Sequence, residues 1–152
     1  MAEQIQAENT LRGWQAAAAE IQIDGRAFID GARVDALSGE TRATSNPANG
    51  DEIAQVAYCN ADDADRAVKI ARSTFESGVW SSMAPSDRKM VLVRWAELID
   101  SHSDEIALLE TLDVGKPIAD TLGIDVGAAI RTIRWSGEAI DKVYDEIGRA
   151  HV

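Results

Sequence analysis

The chain has 152 residues, 45% of them hydrophobic, which is enough length and apolar surface for one packed domain. Its net charge of -11, from 26 acidic and 15 basic residues, argues against a nucleic-acid partner, because phosphates would meet repulsion instead of releasing counterions. The single cysteine, Cys59, excludes an intramolecular disulfide, and no apolar run reaches the roughly 20 residues that span a bilayer.

The start, Met1-Ala2-Glu3-Gln4, lacks the basic end and apolar stretch of a secretory leader, so a cytoplasmic location with no membrane partner is expected. Residues 1–24 read as a helical extension, with a helix over 2–20 that carries Leu11, Trp14 and Ala18 on one side. Ala27-Phe28-Ile29 and Ala32-Arg33-Val34 flank Asp30-Gly31, a dipeptide that accepts the positive φ angles of a two-residue hairpin turn. A second hairpin is predicted from Thr41–Ser45 and Ile53–Tyr58, joined through Asn46-Pro47-Ala48-Asn49-Gly50.

From Asn60 the period becomes helical. Ala64, Ala67, Val68, Ala71 and Phe75 form an apolar stripe, with Asn60 as cap and Gly78 as stop. Pro85-Ser86-Asp87 opens the next helix, in which Leu92, Trp95, Ala96 and Ile99 are expected to be buried, and a break follows at Ser101-His102. Ser103 is the predicted cap of a third helix with Ile106, Leu109 and Leu112 inward, ended by Gly115 and Pro117. Asp125 is the predicted cap of a fourth helix through Val126, Ala129, Ile130, Ile133, Ile140, Val143 and Tyr144 to about Glu146. Hairpins followed by about four helices make an α/β chain, yet residues 25–147 lack both the β-α-β alternation and the Gly-x-Gly-x-x-Gly of a finished dinucleotide-binding sheet.

Residues that invite a chemical role are few. Cys59 ends a predicted strand with no histidine near it in sequence, so its plain reading is structural or incidental. Lys116 follows Gly115, but the glycine-rich loop and Ser/Thr of a phosphate-binding loop are missing, and a solvated or helix-capping lysine is expected. Trp80, Trp95 and Trp135 are expected to pack in the core.

Four blocks in order carry a family resemblance: Phe28-Ile29-Asp30-Gly31, Ser45-Asn46-Pro47-Ala48-Asn49-Gly50, Asp65-Arg66-Ala67-Val68-Lys69-Ile70-Ala71-Arg72, and Glu110-Thr111-Leu112-Asp113-Val114-Gly115-Lys116-Pro117. Together they resemble the N-terminal region of aldehyde dehydrogenases, which implies that residues 25–147 are the N-terminal part of that family's cofactor-binding domain, an incomplete Rossmann-like α/β fold. Ile133 to Tyr144, with Trp14-Gln15, is similar to the members that oxidise γ-glutamylaminobutyraldehyde in putrescine breakdown.

The resemblance implies NAD- or NADP-dependent oxidation of a small aldehyde to its carboxylic acid by a homo-oligomeric enzyme. The family's mechanism uses a cysteine thiolate, an asparagine oxyanion donor and a glutamate that activates water. All three motifs lie beyond the region this chain resembles, so no catalytic or cofactor-binding residue is expected here and the chain alone is expected to be inactive. The resemblance also implies a monovalent-cation site formed by the Asp113 carboxylate with backbone carbonyls near Thr44 and Ser45, since hard oxygen ligands suit such an ion. The alternative for Asp113 is a carboxylate that only hydrogen-bonds a neighbouring turn. Ala128 would lie towards a substrate tunnel on the same analogy.

The resemblance breaks off after Glu146, and Gly148-Arg149-Ala150-His151-Val152 reads as a non-native tail. One frame of a widely used short-read sequencing adapter translates as Ile-Gly-Arg-Ala-His-Val and a stop, the same residues as Ile147 to Val152. Adapter read-through is therefore the expected origin of the tail. The rival expectation is a stand-alone acidic module, derived from a dehydrogenase, that binds a protein through uncovered helix faces.

Overall fold

The computed structural model describes residues 10–142, so the predicted start of the first helix, the end of the last and the tail at 148–152 lie outside the described residues. Helix α1 spans Leu11–Glu20 and begins at Thr10, whose hydroxyl accepts the Gly13 N–H at 3.1 Å. Of its expected apolar side only Trp14 is buried. Leu11 stays 74% exposed because it borders an open cleft with Ile118 and Leu122 instead of meeting a neighbour.

Strands β1 (Ala27–Ile29) and β2 (Ala32–Val34) form the first hairpin, and φ angles of 58° at Asp30 and 74° at Gly31 are those the two-residue turn requires. Strands β3 (Thr41–Ser45) and β4 (Glu52–Ala57) form the second, antiparallel with Thr41 opposite Ala57 and an irregular step between Thr44 and Ser45. Its turn is closed by Asn46 N–H to Asp51 O at 2.8 Å and Gly50 N–H to Asn46 O at 2.7 Å. The chain before β1 lies directly on β4: Ala57 N–H donates to Gly25 O at 2.8 Å, and a Cβ at Gly25 would fall 2.0 Å from Gln55 O. Only glycine fits there.

Helix α2 (Ala61–Glu76) opens with a full capping box, in which Asn60 Oδ1 accepts the Asp63 N–H and Asp63 Oδ2 accepts the Asn60 N–H. Its apolar stripe is not buried as expected: Val68 is 67% and Phe75 70% exposed, because the three-residue strands of the β1–β2 hairpin border the stripe without covering it.

Helix α3 (Pro85–Ser101) packs along α6 (Gly127–Ala139), with Gly137 set against Leu92 and Lys89 and with Ala96 fully buried. Trp95, expected in this seam, flanks it and is 52% exposed. Helix α4 (Ser103–Val114) follows after one residue. His102 occupies both the end of α3 and the cap position of α4, so Ser103 is the first helical residue and not the cap. The buried positions of α4 are Ala107 and Leu108, while Ile106, Leu109 and Leu112 are half-buried, one position away from the expected face.

Gly115 ends α4 with φ 77° and donates its N–H to Thr111 O at 3.0 Å. The last helix does not begin at Asp125. It restarts directly after Pro117 as the short α5 (Ile118–Asp120), widens into a π-helical turn over Thr121–Val126 and continues as α6. Proline suits a helix start because the backbone N–H that it lacks would have no intrahelical partner there. Asp125 therefore lies inside the helix, and its carboxylate binds the Lys116 ammonium at 2.6 Å. The fully buried Thr121 hydroxyl fixes the π-turn against α4, 2.8 Å from Thr111 Oγ1 and 3.1 Å from Ile118 O. No helix among the described residues is long and apolar enough to cross a membrane.

Candidate functional site

The end of α4 rests on the β3–β4 hairpin. Gly115 lies so close to Pro47 that a Cβ would sit 2.8 Å from Pro47 Cγ, which joins the turn after β3 to the Gly-Lys-Pro stop. Two residues earlier on α4, Asp113 Oδ1 accepts a hydrogen bond from Thr44 Oγ1 at 3.4 Å, across 69 residues of sequence. The bond is long and therefore weak.

Thr44 and Asp113 line a cavity of about 320 Å³ with Ile23, Ile53, Leu109 and Glu110. Ser45 is not part of that lining; it sits at the irregular step of the ladder, opposite Glu52. Two of the three residues named for a cation are thus brought together and the third stands beside them. Glu110 was missed, although its i, i+3 spacing from Asp113 puts both carboxylates on one side of α4 and could have flagged it. Among the described residues there is no cluster of three or more His, Cys, Asp or Glu able to hold a metal ion. The oxygens the cavity offers are the Asp113 and Glu110 carboxylates and the Thr44 hydroxyl, which are hard donors.

The other candidate residues do not form a reactive site. Cys59 is exposed, between Tyr58, whose ring lies 4.0 Å under the Arg42 guanidinium, and the Asn60 cap. The Lys116 ammonium, half-exposed, is bonded to the Asp125 carboxylate, and that bond holds its pKa above the ordinary lysine value. Trp80, Trp95 and Trp135 are 43%, 52% and 69% exposed, against the expectation of core packing; Trp14 is the tryptophan that is buried. Among the described residues the strands form two separate antiparallel hairpins.

Comparison with known proteins sets this geometry in context. Residues 34–151 match the aldehyde dehydrogenase family. The chain is 48% identical over 132 residues to aminoacetaldehyde dehydrogenase of Pseudomonas aeruginosa, covering 87% of this chain and 27% of that protein. It is 46% identical over 137 residues to the NADP/NAD-dependent aldehyde dehydrogenase PuuC of Escherichia coli, covering 90% of this chain and 28% of that one. Among solved structures, γ-glutamyl-γ-aminobutyraldehyde dehydrogenase of Burkholderia cenocepacia superposes with a TM-score of 0.89 at 49% identity, over 93% of this chain and 29% of that one. An indole-3-acetaldehyde dehydrogenase of P. syringae, solved with NAD+ and IAA, gives 0.87 at 51% identity, over 89% of this chain and 27% of that one.

The two hairpins and the helices after them are thus part of a dehydrogenase fold, and the chain belongs to the aldehyde dehydrogenase family. It spans a little over a quarter of the length of the relatives it matches.

Proposed function

We propose that these residues serve within an NAD(P)-dependent aldehyde dehydrogenase that oxidises a small aldehyde to its carboxylic acid, working as a homo-oligomer. The substrate class we favour is an aldehyde bearing an amino or amide group, with γ-glutamylaminobutyraldehyde as the representative. The observation that carries this reading is the joint match, at 46–49% identity, to PuuC and to the γ-glutamyl-γ-aminobutyraldehyde dehydrogenase structure. When bound, the nicotinamide would supply the hydride acceptor. None of the residues described here is assigned to it, or to nucleophile, general base or oxyanion donor.

Their role is to position. The Gly115 stop, packed on Pro47, fixes where α4 ends against the β3–β4 hairpin, and the Lys116–Asp125 pair ties that stop to the π-turn leading into α6. We further propose that Thr44, Ser45 and Asp113 bind a monovalent cation that braces this junction. The hydrogen bond between Thr44 and Asp113 and the adjoining carboxylate of Glu110 support this reading.

A chimera tests the proposal. The 132 residues of this chain that align replace the matching segment of the P. aeruginosa aminoacetaldehyde dehydrogenase, and reduction of NAD+ is followed with aminoacetaldehyde and with γ-glutamylaminobutyraldehyde. Activity on an aldehyde is the expected result. A folded, NAD-binding chimera inert towards both aldehydes would overturn it.

A further inference from the structure

The turn between β3 and β4 contains Asn49-Gly50, the one Asn-Gly pair in the sequence. Such a pair suits a tight turn, and it is also where a backbone attacks its own side chain most readily, because glycine has no Cβ to hold the two apart. In that reaction the Gly50 nitrogen loses its proton to a solvent base and bonds to Asn49 Cγ, while the Cγ–Nδ2 bond breaks and Nδ2 takes a proton and leaves as ammonia. Water then opens the resulting succinimide at either carbonyl, giving aspartate or isoaspartate with no change of oxidation state. The other asparagines are poorer substrates. Asn9 precedes Thr10, whose branched Cβ crowds the attack, and Asn46 precedes Pro47, whose nitrogen carries no proton to lose. The Asn60 carboxamide is held as the cap of α2 by the Asp62 and Asp63 N–H groups.

Asn49 and Gly50 are both exposed, so water and base reach them freely. Their hydrogen bonds oppose the reaction. The attacking group, the Gly50 N–H, donates to Asn46 O at 2.7 Å, which holds the proton that must leave. The Asn49 carboxamide is tied to Asp51 at both ends: Oδ1 accepts the Asp51 N–H at 3.0 Å, and Nδ2 donates to the Asp51 carboxylate at 2.6 Å. Ring closure therefore requires the Gly50 bond to break and the carboxamide to turn away from Asp51. The turn is also braced from outside, since Pro47 lies against Gly115 at the end of α4.

We propose that Asn49 is a latent modification site: the closed β3–β4 turn suppresses its conversion to aspartate and isoaspartate, and opening of the turn releases it. The conversion is one-way. An isoaspartate at position 49 adds a methylene to the main chain between Asn46 O and the Gly50 N–H, so the turn cannot close with the same bond. Pro47 then loses its fixed place against Gly115, and the tie between the hairpin and α4 is weakened where it was first opened. The modified residue is thus a chemical record that this junction has come apart.

The 152-residue chain, the chimera and a synthetic peptide of residues 43–58 are incubated at mildly alkaline pH, and conversion at Asn49 is followed by mass spectrometry with isoaspartate detection. The chain and the chimera should each convert at least about tenfold more slowly than the peptide, because only the opened fraction reacts. A rate equal to that of the peptide in the chimera, whose folding is reported by NAD binding, would overturn the proposal whether or not the shorter chain stays folded during the incubation. Asp51→Ala gives a second reading, since it frees Nδ2 at an exposed position. It should speed conversion in the chimera several-fold and leave the rate of the correspondingly substituted peptide unchanged. No acceleration in the chimera, or an equal acceleration in the peptide, would show that the turn does not protect Asn49.

Discussion

Asp63 is the carboxylate on which the start of α2 depends. It is 2% exposed and accepts two backbone N–H groups, Leu37 at 2.9 Å and Asn60 at 3.0 Å. The Asn60 N–H first, and the Leu37 N–H second, hold its pKa below the usual carboxylate range. A lowered folded-state pKa stabilises the protein at neutral pH, and that contribution disappears as pH falls from about 4, the unfolded value, through the lower folded one. The melting temperature should therefore drop on acidification below about pH 4, and Asp63→Asn should lower it at pH 7 while flattening the acid slope. Scanning calorimetry of both proteins across this range checks the expectation, and an unaltered acid slope in the variant would refute it. Removal of the cap oxygen in Asn60→Ala should cost about 1 kcal/mol, measured by urea unfolding. The Asn60 cap was legible in the sequence because its bonds lie within one turn, whereas the return bond to the Asp63 carboxylate was not read. The bond to Leu37, 26 residues away, was not legible, because no local pattern encodes it.

At the scale of elements, the hairpins and the stops at Gly78 and Gly115 were readable, since each depends on the backbone preference of a residue at the turn itself. The errors share a different cause. Ser103 was read as a cap and Asp125 as a helix start because both residue types favour those positions, but the chain leaves only His102 between α3 and α4 and resumes its helix directly at Ile118. The π-turn adds a residue to one turn of that helix, which shifts every later side chain relative to a simple 3.6-residue count. Gly137 shows how packing then overrides propensity. Replacing a mid-helix glycine by alanine normally gains about 1 kcal/mol, but here the new Cβ would stand 3.1 Å from Leu92 Cβ and 3.3 Å from the Lys89 carbonyl, which belong to the rigid backbone side of α3. Gly137→Ala should consequently show no gain, and Gly137→Val should lose about 1–3 kcal/mol by forcing α3 and α6 apart. A rise in the urea midpoint for either variant would show that the seam can yield.

For the whole molecule, charge and the proposed cation make separable demands. Of the candidate site, Thr44, Ser45 and Asp113 were reached through family resemblance, whereas Glu110 was missed although its spacing from Asp113 is readable, and what the fold adds is that both line one cavity with Thr44. A net charge of -11 repels itself, and exposed ion pairs such as Arg72–Glu76 and Arg94–Glu97 each offset that by no more than about 1 kcal/mol. Salt weakens both effects, but the repulsion acts among all the unpaired acids, so the melting temperature should rise as NaCl approaches about 0.15 M, where the Debye length is near 8 Å. That rise is indifferent to which monovalent cation is added. An ion held between β3 and α4 would add a second increment that grows with the logarithm of its concentration and depends on ionic radius. Melting in KCl and NaCl at equal ionic strength should therefore differ. Asp113→Ala should abolish the difference and keep the common rise, while Asp100→Ala, which removes one acid from an exposed position on α3, should retain both. Superimposable KCl and NaCl curves in the unsubstituted chain and the chimera would eliminate the cation and leave the Thr44–Asp113 bond as a simple tie between strand and helix.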